Sequence, residues 1–308
     1  MMQKKGIFFT LAALILVSLL FITYTFYTEI NKTKSVRQRV ETMNTFLVSL
    51  EEDMSRQMYI AGFRTVFLIE DKITQTGLYA TSPDTAFQET FFNGTLYGEP
   101  QPVMLGATYN DIVTTIKERA QKINVNVTIG YPNITLTQDD PWHVKVVLRT
   151  SLDMRDANNL ASWNKTHVAV AYVSIENFED PIYLIGTNRL VTNSINKTRY
   201  QPFAEGSDVS NLTTHALNSY YVASPLSPSF LDRLQGITAP NAQGLGIESL
   251  VNLQTLSAKG INVQDKTAVD YLYFSTQNPT SHHIQGMPGW FRIDTSHLEL
   301  YNVTNLTI

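Results

Sequence analysis

The chain has no cysteine in 308 residues. That removes disulfide staples, thiolate nucleophiles and cysteine-ligated zinc together, so the compartment must be read from other marks. It also lacks an excess of positive charge: 23 Lys and Arg against 27 Asp and Glu leave a net charge of -4. No basic stripe is available to neutralise a phosphate backbone, and nucleic-acid binding is not expected. Glycine and proline are missing from Ile7 to Ala61, which excludes turns from a stretch far longer than an ordinary helix. G-x-S-x-G, H-E-x-x-H, the phosphate-binding loop and the dinucleotide fingerprint are all missing too. The expectation is a non-enzyme that needs no cofactor and no metal. Nor is there an internal repeat or low-complexity tract, and the 43% hydrophobic content is ample for a packed core.

What is present begins with "QKKGIFFTLAALILVSLLFITYTFY", Gln3 to Tyr27, where two lysines and a glycine precede an apolar run of about 21 residues, enough for ~30 Å of hydrocarbon. A secretion signal has a shorter apolar core and a small-x-small cut site after it. Here the run ends in Thr25-Phe26-Tyr27-Thr28-Glu29, and Tyr24 and Tyr27 sit where an interfacial aromatic belt belongs. The segment reads as a retained membrane span. Beyond it, Val36, Val40, Met43, Leu47, Leu50 and Met54 recur at helical spacing with charged residues between them, an apolar seam on a polar helix.

Lys4, Lys5 and Gly6 before Ile7 resemble the class III signal of archaeal type IV pilins and archaellins. The resemblance implies cleavage after Gly6 by a prepilin peptidase, which leaves Ile7 as the new N-terminus. The membrane half running into an amphipathic half is similar to the lollipop stem of those proteins. Segments such as "DDPWHVKVVL" and "ENFEDPIYLIGT" also resemble archaeal membrane proteins with pilin-like N-termini. One departure stands out: bacterial pilins place glutamate at the fifth mature position, where this chain would have Leu11. The resemblance implies a surface-exposed subunit, minor or at a tip, acting in filament assembly or adhesion, with the membrane and other pilin-like subunits as partners. The alternatives are an anchored adhesin or glycan-binding receptor that never polymerises, and an anchored surface hydrolase.

Nine N-x-T acceptor triplets, at Asn31, Asn93, Asn126, Asn133, Asn164, Asn196, Asn211, Asn302 and Asn305, run to about twice the chance expectation and point to a glycosylated, extracytoplasmic domain. The competing reading is a Thr-rich β protein with incidental triplets, some of them buried. Lys32, Lys34, Arg37 and Arg39 follow the span more densely than Lys4 and Lys5 precede it, which alone would put the large part inside. The triplets and the resemblance favour a single-pass protein with its C-terminal head outside.

The fold class expected is α+β, a long N-terminal transmembrane and amphipathic helix followed by a β-rich, largely antiparallel head. The divisions are a leader at 1–6, a helix at 7–76, an α+β head at 77–185, and 186–308 as the rest of the head or a second subdomain. The first helix should stop at Thr76-Gly77. Thr108 and Asp111 have capping-box spacing for a second helix through Ile123. "NVNVTIG" and "NITLTQ" read as a hairpin about Tyr131-Pro132, followed by strands at 144–150, 167–175 and 269–275, with a short helix at 229–234.

Residues weighed for chemistry were few. Ser162 with Lys165, and Ser194 with Lys197, match S-x-x-K, but both lysines lie inside acceptor triplets. His282, His283, Asp294 and His297 have a plausible ligand count, although adjacent histidines on a strand face opposite ways. Asp139, Asp140 and His143 fit a turn before a strand equally well. Trp142, Trp163 and Trp290 suit either sugar stacking or a core.

Overall fold

The computed structural model describes residues 3–308, with side chains from residue 8 onward. The expected processing site, Lys4, Lys5, Gly6 and Ile7, lies outside the residues whose side chains are described.

Helix α1 (Gln3–Thr76) is unbroken and ends where Gly77 takes a left-handed φ of 70°, its N–H donating to Ile73 O. From Phe8 the α1 span is long and apolar enough to cross a membrane, with none of its most apolar window buried. The hydroxyls there fold back onto the helix: Ser18 donates to Leu14 O at 2.8 Å, Thr23 to Leu19 O at 2.9 Å and Thr25 to Phe21 O at 2.8 Å. Polar side chains satisfied in this way carry no open donor into an apolar surrounding.

The rest of the chain is α+β. Helix α2 (Pro83–Asn93) starts on Ser82, which accepts from Thr85 N–H, and ends on left-handed Gly94. Strands β1 (Thr95–Leu96) and β2 (Glu99–Pro100) form a minimal antiparallel ladder, and helix α3 (Tyr109–Gln121) follows. At its start Asp111 N–H donates to Thr108 Oγ1 and Thr108 N–H to Asp111 Oδ2, the expected capping box. Strands β3 (Val125–Asp140), β4 (His143–Asp156) and β5 (Ser162–Ser174) make a three-stranded sheet in that order. Two residues link β3 to β4, which only an antiparallel pair permits.

The sheet corrects one expectation. Tyr131-Pro132 is not a hairpin turn; it lies inside β3, and the hairpin is β3 with β4. The buried residues of β3 change parity there, from Val125 and Val127 to Ile134 and Leu136, while β4 keeps Val144, Val146, Leu148, Leu152 and Met154 in one register. One extra residue explains the change, and Tyr131 supplies it with φ of 49°. Thr150 and Ser151 hydroxyls donate to Gly130 O at 2.7 and 3.0 Å, serving a carbonyl at the bulge. Pro132 is tolerated because β3 is an edge strand.

The chain divides into two compact units. One takes α1 up to Asp53 together with residues 113–132 and 150–167. In it the seam residues Met43, Leu47 and Leu50 are buried, and Arg39 pairs with the buried Asp156, whose carboxyl this hydrogen bond holds below the usual range. The other unit holds residues 54–112, 133–149 and 168–308, so both sides of residue 185 belong to it. There α1 buries Met54, Met58, Ala61, Val66, Ile69 and Ile73, and its backbone lies against sheet side chains at Gly62. A Cβ on Gly62 would lie 2.6 Å from Val146 Cγ2 and 3.0 Å from Val173 Cγ2.

The C-terminal residues of this unit are short elements: α4 (Pro181–Gly186), α5 (Ser210–Leu217), β6 (Tyr221–Ala223), α6 (Phe230–Leu234), β7 (Ile247–Ser249), α7 (Leu253–Ala258), α8 (Asp270–Tyr273), β8 (Ser281–His283) and β9 (Arg292–Asp294). β6 pairs antiparallel with β7, and β8 with β9. Phe203, Leu212, Leu250, Val269, Phe291, Ile293 and Tyr301 pack among them as one apolar cluster. Residues 269–275 are not the expected strand: Asp270–Tyr273 are helical, and only Val269 makes an isolated bridge, to Leu250. The reason is Asp270: its carboxylate accepts Tyr271 N–H at 2.6 Å, Ser249 Oγ at 2.9 Å and the Arg233 guanidinium at 3.0 and 3.1 Å, contacts that outweigh the β propensity of Val-Asp-Tyr-Leu-Tyr-Phe. Arg233 is fully buried and also pairs with Asp180 and donates to Ile247 O. Lys266, nearly buried, closes α8 by donating to the carbonyls of Leu272, Tyr273 and Ser275.

Two stability predictions follow from this packing, both read from thermal unfolding of the full chain in detergent by circular dichroism. Gly62→Leu is expected to cost about 2–3 kcal/mol by overpacking against Val146 and Val173. Arg233→Met strands two buried carboxylates and is expected to cost about 3–5 kcal/mol; an unchanged midpoint in either variant contradicts the corresponding contact.

Candidate functional site

The residues singled out for chemistry are placed apart or tied into structure. Lys165 pairs with Glu51, and Lys197 stands over the Trp142 ring at 5.0 Å, so neither lysine is turned to the serine three residues before it. Asp140 accepts Trp142 N–H at 2.7 Å and lies 2.9 Å from His143 Nδ1, while Asp139 pairs with Lys145 at 2.6 Å. This is the polar surface of the β3–β4 turn. Trp290 packs against the C-terminal apolar clusters, and Trp163 is half-buried on β5.

The four residues of the His/Asp group separate into two sets. His282 Nε2 lies 3.1 Å from Thr295 Oγ1, and His283 Nδ1 lies 3.3 Å from Phe291 O. His297 is buried instead between carboxylates, its Nδ1 2.8 Å from Asp294 Oδ1 and its Nε2 3.2 Å from Glu248 Oε2. Burial opposes its charge, yet hydrogen bonds to Asp294 and Glu248 push the imidazole up to about 10. Tyr301 OH donates to Glu248 at 2.9 Å, closing a buried polar network. Among the described residues no three His, Cys, Asp or Glu side chains converge as a metal site.

Of the nine acceptor asparagines, eight are exposed and Asn211 is half-buried, its Nδ2 donating to Pro202 O at 2.9 Å.

One concave site was not anticipated from the residue pattern. In the unit holding the C-terminal residues, the last turns of α1 and the loop after β5 enclose a cleft of about 390 Å³. Its α1 wall is Phe63, Phe67, Glu70, Asp71 and Thr74, and its loop wall is Glu176, Asn177, Phe178 and Glu179. On α1, Phe63 and Phe67 stand one turn apart on one face, 44% and 46% exposed, and Phe63 meets Phe178 with ring centroids 5.4 Å apart. Two large apolar side chains left half in water side by side give the cleft an apolar wall for a ligand to cover.

The loop is held at both ends. Asn177 takes a left-handed φ of 72°, which asparagine tolerates, and its N–H donates to Ile195 O at 2.9 Å. Asp180, immediately after Glu179, caps α4 and joins the Arg233 cluster. The loop therefore presents Glu176 and Glu179 from a fixed backbone.

Glu70 is the unusual group. Only 9% exposed, it accepts Glu179 N–H with Oε1, and Oε2 has no partner among the described residues. Burial pushes its carboxyl up to about 7, the Glu179 N–H opposes the shift, and repulsion from Glu179 and Asp71 adds to it. The cleft thus joins two aromatic faces to four carboxylates, one of them desolvated. It offers no nucleophile beside a base, and its chemistry is that of binding.

The raised value gives a pH dependence with a definite sign. The folded state holds the Glu70 proton to about pH 7 and the unfolded chain releases it near 4.5, so this contribution is complete below 4.5 and is lost as pH rises through 7. Glu70→Gln keeps an acceptor for Glu179 N–H and has no charge to desolvate. Its stability relative to the parent is expected to increase from pH 4.5 to 8 by about 2–3 kcal/mol. Denaturant unfolding at several pH values measures it, and a constant difference would contradict the desolvated carboxyl.

No protein-family model, curated protein or solved structure matches this chain.

Proposed function

We propose that the chain is a membrane-anchored, type IV pilin-like subunit of archaeal kind, minor or at a tip, acting in filament assembly or adhesion at the cell surface. The observation that carries this reading is α1. Its residues from Phe8 to Ile30 expose apolar side chains, Phe8 at 69% and Ile30 at 53%, and the same unbroken helix buries its seam from Met43 onward. Apolar surface on that scale is unstable in water; lipid covers it before assembly, and neighbouring helices cover it afterwards.

Lys4, Lys5, Gly6 and Ile7 supply the processing signal for a prepilin peptidase, and the retained helix begins at Ile7. The eight exposed acceptor asparagines support an extracytoplasmic, glycosylated surface. The large remainder of the chain suits a minor subunit better than a repeating shaft. A non-polymerising adhesin uses the same anchor and the same exposed surface, and differs in never leaving the membrane.

Mass spectrometry of the mature N-terminus tests the processing step: a species beginning at Ile7 is expected, and only forms retaining Met1 or Met2 would remove it. Fractionation tests assembly. A pool in sheared filaments supports a subunit, whereas recovery in membranes alone selects the anchored adhesin.

A further inference from the structure

We propose that the cleft between the end of α1 and the 176–179 loop binds a primary alkylammonium ion, with its stem against Phe63 and Phe67 and its charged end at Glu70. The inference rests on the cleft and is independent of how the chain is anchored.

Charge comes first. Glu70, Asp71, Glu176 and Glu179 line the cleft and no cationic side chain does. The cations on the same part of α1 are engaged elsewhere: Lys72 pairs with Glu99 at 2.7 Å, and Arg64 donates to Leu105 O at 3.0 Å. Arg189, from the segment after α4, donates to Gln75 O at 3.0 Å. Glu179 and Asp71 repel the Glu70 charge and no cation in the lining relieves them, while Glu70, nine-tenths buried, uses Oε1 for Glu179 N–H and has no hydrogen-bond partner for Oε2 among the described residues. An incoming N–H donor with positive charge satisfies that oxygen and lowers the repulsion together.

Shape then selects the kind of cation. The volume of about 390 Å³ lies within the range of small-molecule sites. A metal ion would need converging ligands, and none are grouped in that way among the described residues. Half-exposed phenylalanines give an alkyl stem apolar area to cover, and an aromatic ring next to a cation adds attraction. A compact ammonium on a flexible stem presents three donors, whereas a guanidinium needs a planar, bidentate partner. Glu70 offers one free oxygen. The shared chemistry of a free diamine and of a lysine side chain on another protein therefore fits this cleft.

Binding to the full chain in detergent is measured by calorimetry with cadaverine and with Nα-acetyl-lysine methylamide; 1-pentanol and pentanoate are the neutral and anionic controls. Saturable binding of at least one amine is expected, with none of the controls. Glu70→Gln and Phe67→Ala should each weaken it by about tenfold or more. In the parent, affinity should increase between pH 6 and 8 as Glu70 loses its proton, the other acids of the lining being Asp71, Glu176 and Glu179, and Glu70→Gln should flatten that dependence. Tighter cadaverine binding identifies a free amine as the ligand, and tighter lysine amide binding a side chain presented by a partner. Lack of saturation by both amines below about 10 mM, or equal affinity in the parent and the folded Glu70→Gln protein, overturns the proposal.

Discussion

The guanidinium of Arg233 is the constraint on which the unit holding the C-terminal residues depends. It sits fully buried against Asp180 and Asp270, in a region whose elements are mostly three to eight residues long. Elements of that length are not stable from their own ladders. The cluster supplies what regular structure does not, because Asp180 caps α4, Asp270 starts α8, Arg233 lies in α6 and Ile247 O begins β7. Four segments distant in sequence are fixed by one set of charges. Burial pushes Asp270 up to about 6 while Arg233 opposes the shift, so the pair is ionic at a cost that only close matching offsets. The same Asp180 anchors the loop of the cleft, so the rigidity of the candidate site derives from this interaction.

Helix α1 carries two different side-chain patterns along one unbroken element. Its first part has apolar side chains all round and hydroxyls folded onto its own carbonyls, the pattern that hydrocarbon requires. Its later part has a buried stripe and an exposed face that is mostly polar but includes Phe63 and Phe67, the pattern of a helix lying on a core with one apolar patch left open. Gly62, the first glycine after Gly6, occurs where the helix backbone comes close to Val146 and Val173. The long absence of glycine ends at the point where a side chain would not fit.

Much of this was legible in the sequence because the signals were local. The missing glycine and proline set out α1, Thr108 with Asp111 marked the start of α3 by capping, and the short helix expected at 229–234 is α6. Two elements differ from expectation because local signals conflict with distant contacts. Pro132 reads as a turn, yet an edge strand with a bulge accommodates it. Residues 269–275 have β composition, yet Asp270 is drawn into a helix start by Arg233, 37 residues away. Helix α2 was overlooked although Ser82-Pro83-Asp84 is an N-cap with proline at the first position; Asp84 also accepts Leu136 N–H at 2.8 Å from β3. The cleft was the least legible. Glu70 and Asp71 look like the ordinary polar face of an amphipathic helix, and only folding brings them to Glu176 and Glu179, more than a hundred residues away.

Two of the buried acidic groups of this unit, Glu70 and the pair around Arg233, differ in a way that bears on what each is for. Around Arg233 the carboxylate oxygens meet guanidinium, hydroxyl or amide donors, and the cluster explains its own presence by joining four segments. Glu70 joins nothing that a neutral side chain would not join equally well, since glutamine also accepts the Glu179 N–H. Its ionised form is opposed by burial and by its acidic neighbours, and stability alone gives no reason to keep it. A desolvated carboxyl with a free oxygen, next to aromatic rings left half in water, is costly to the folded chain by itself and favourable once a cation fills the space. The physical reason for such a residue therefore lies outside the chain, in what occupies the cleft.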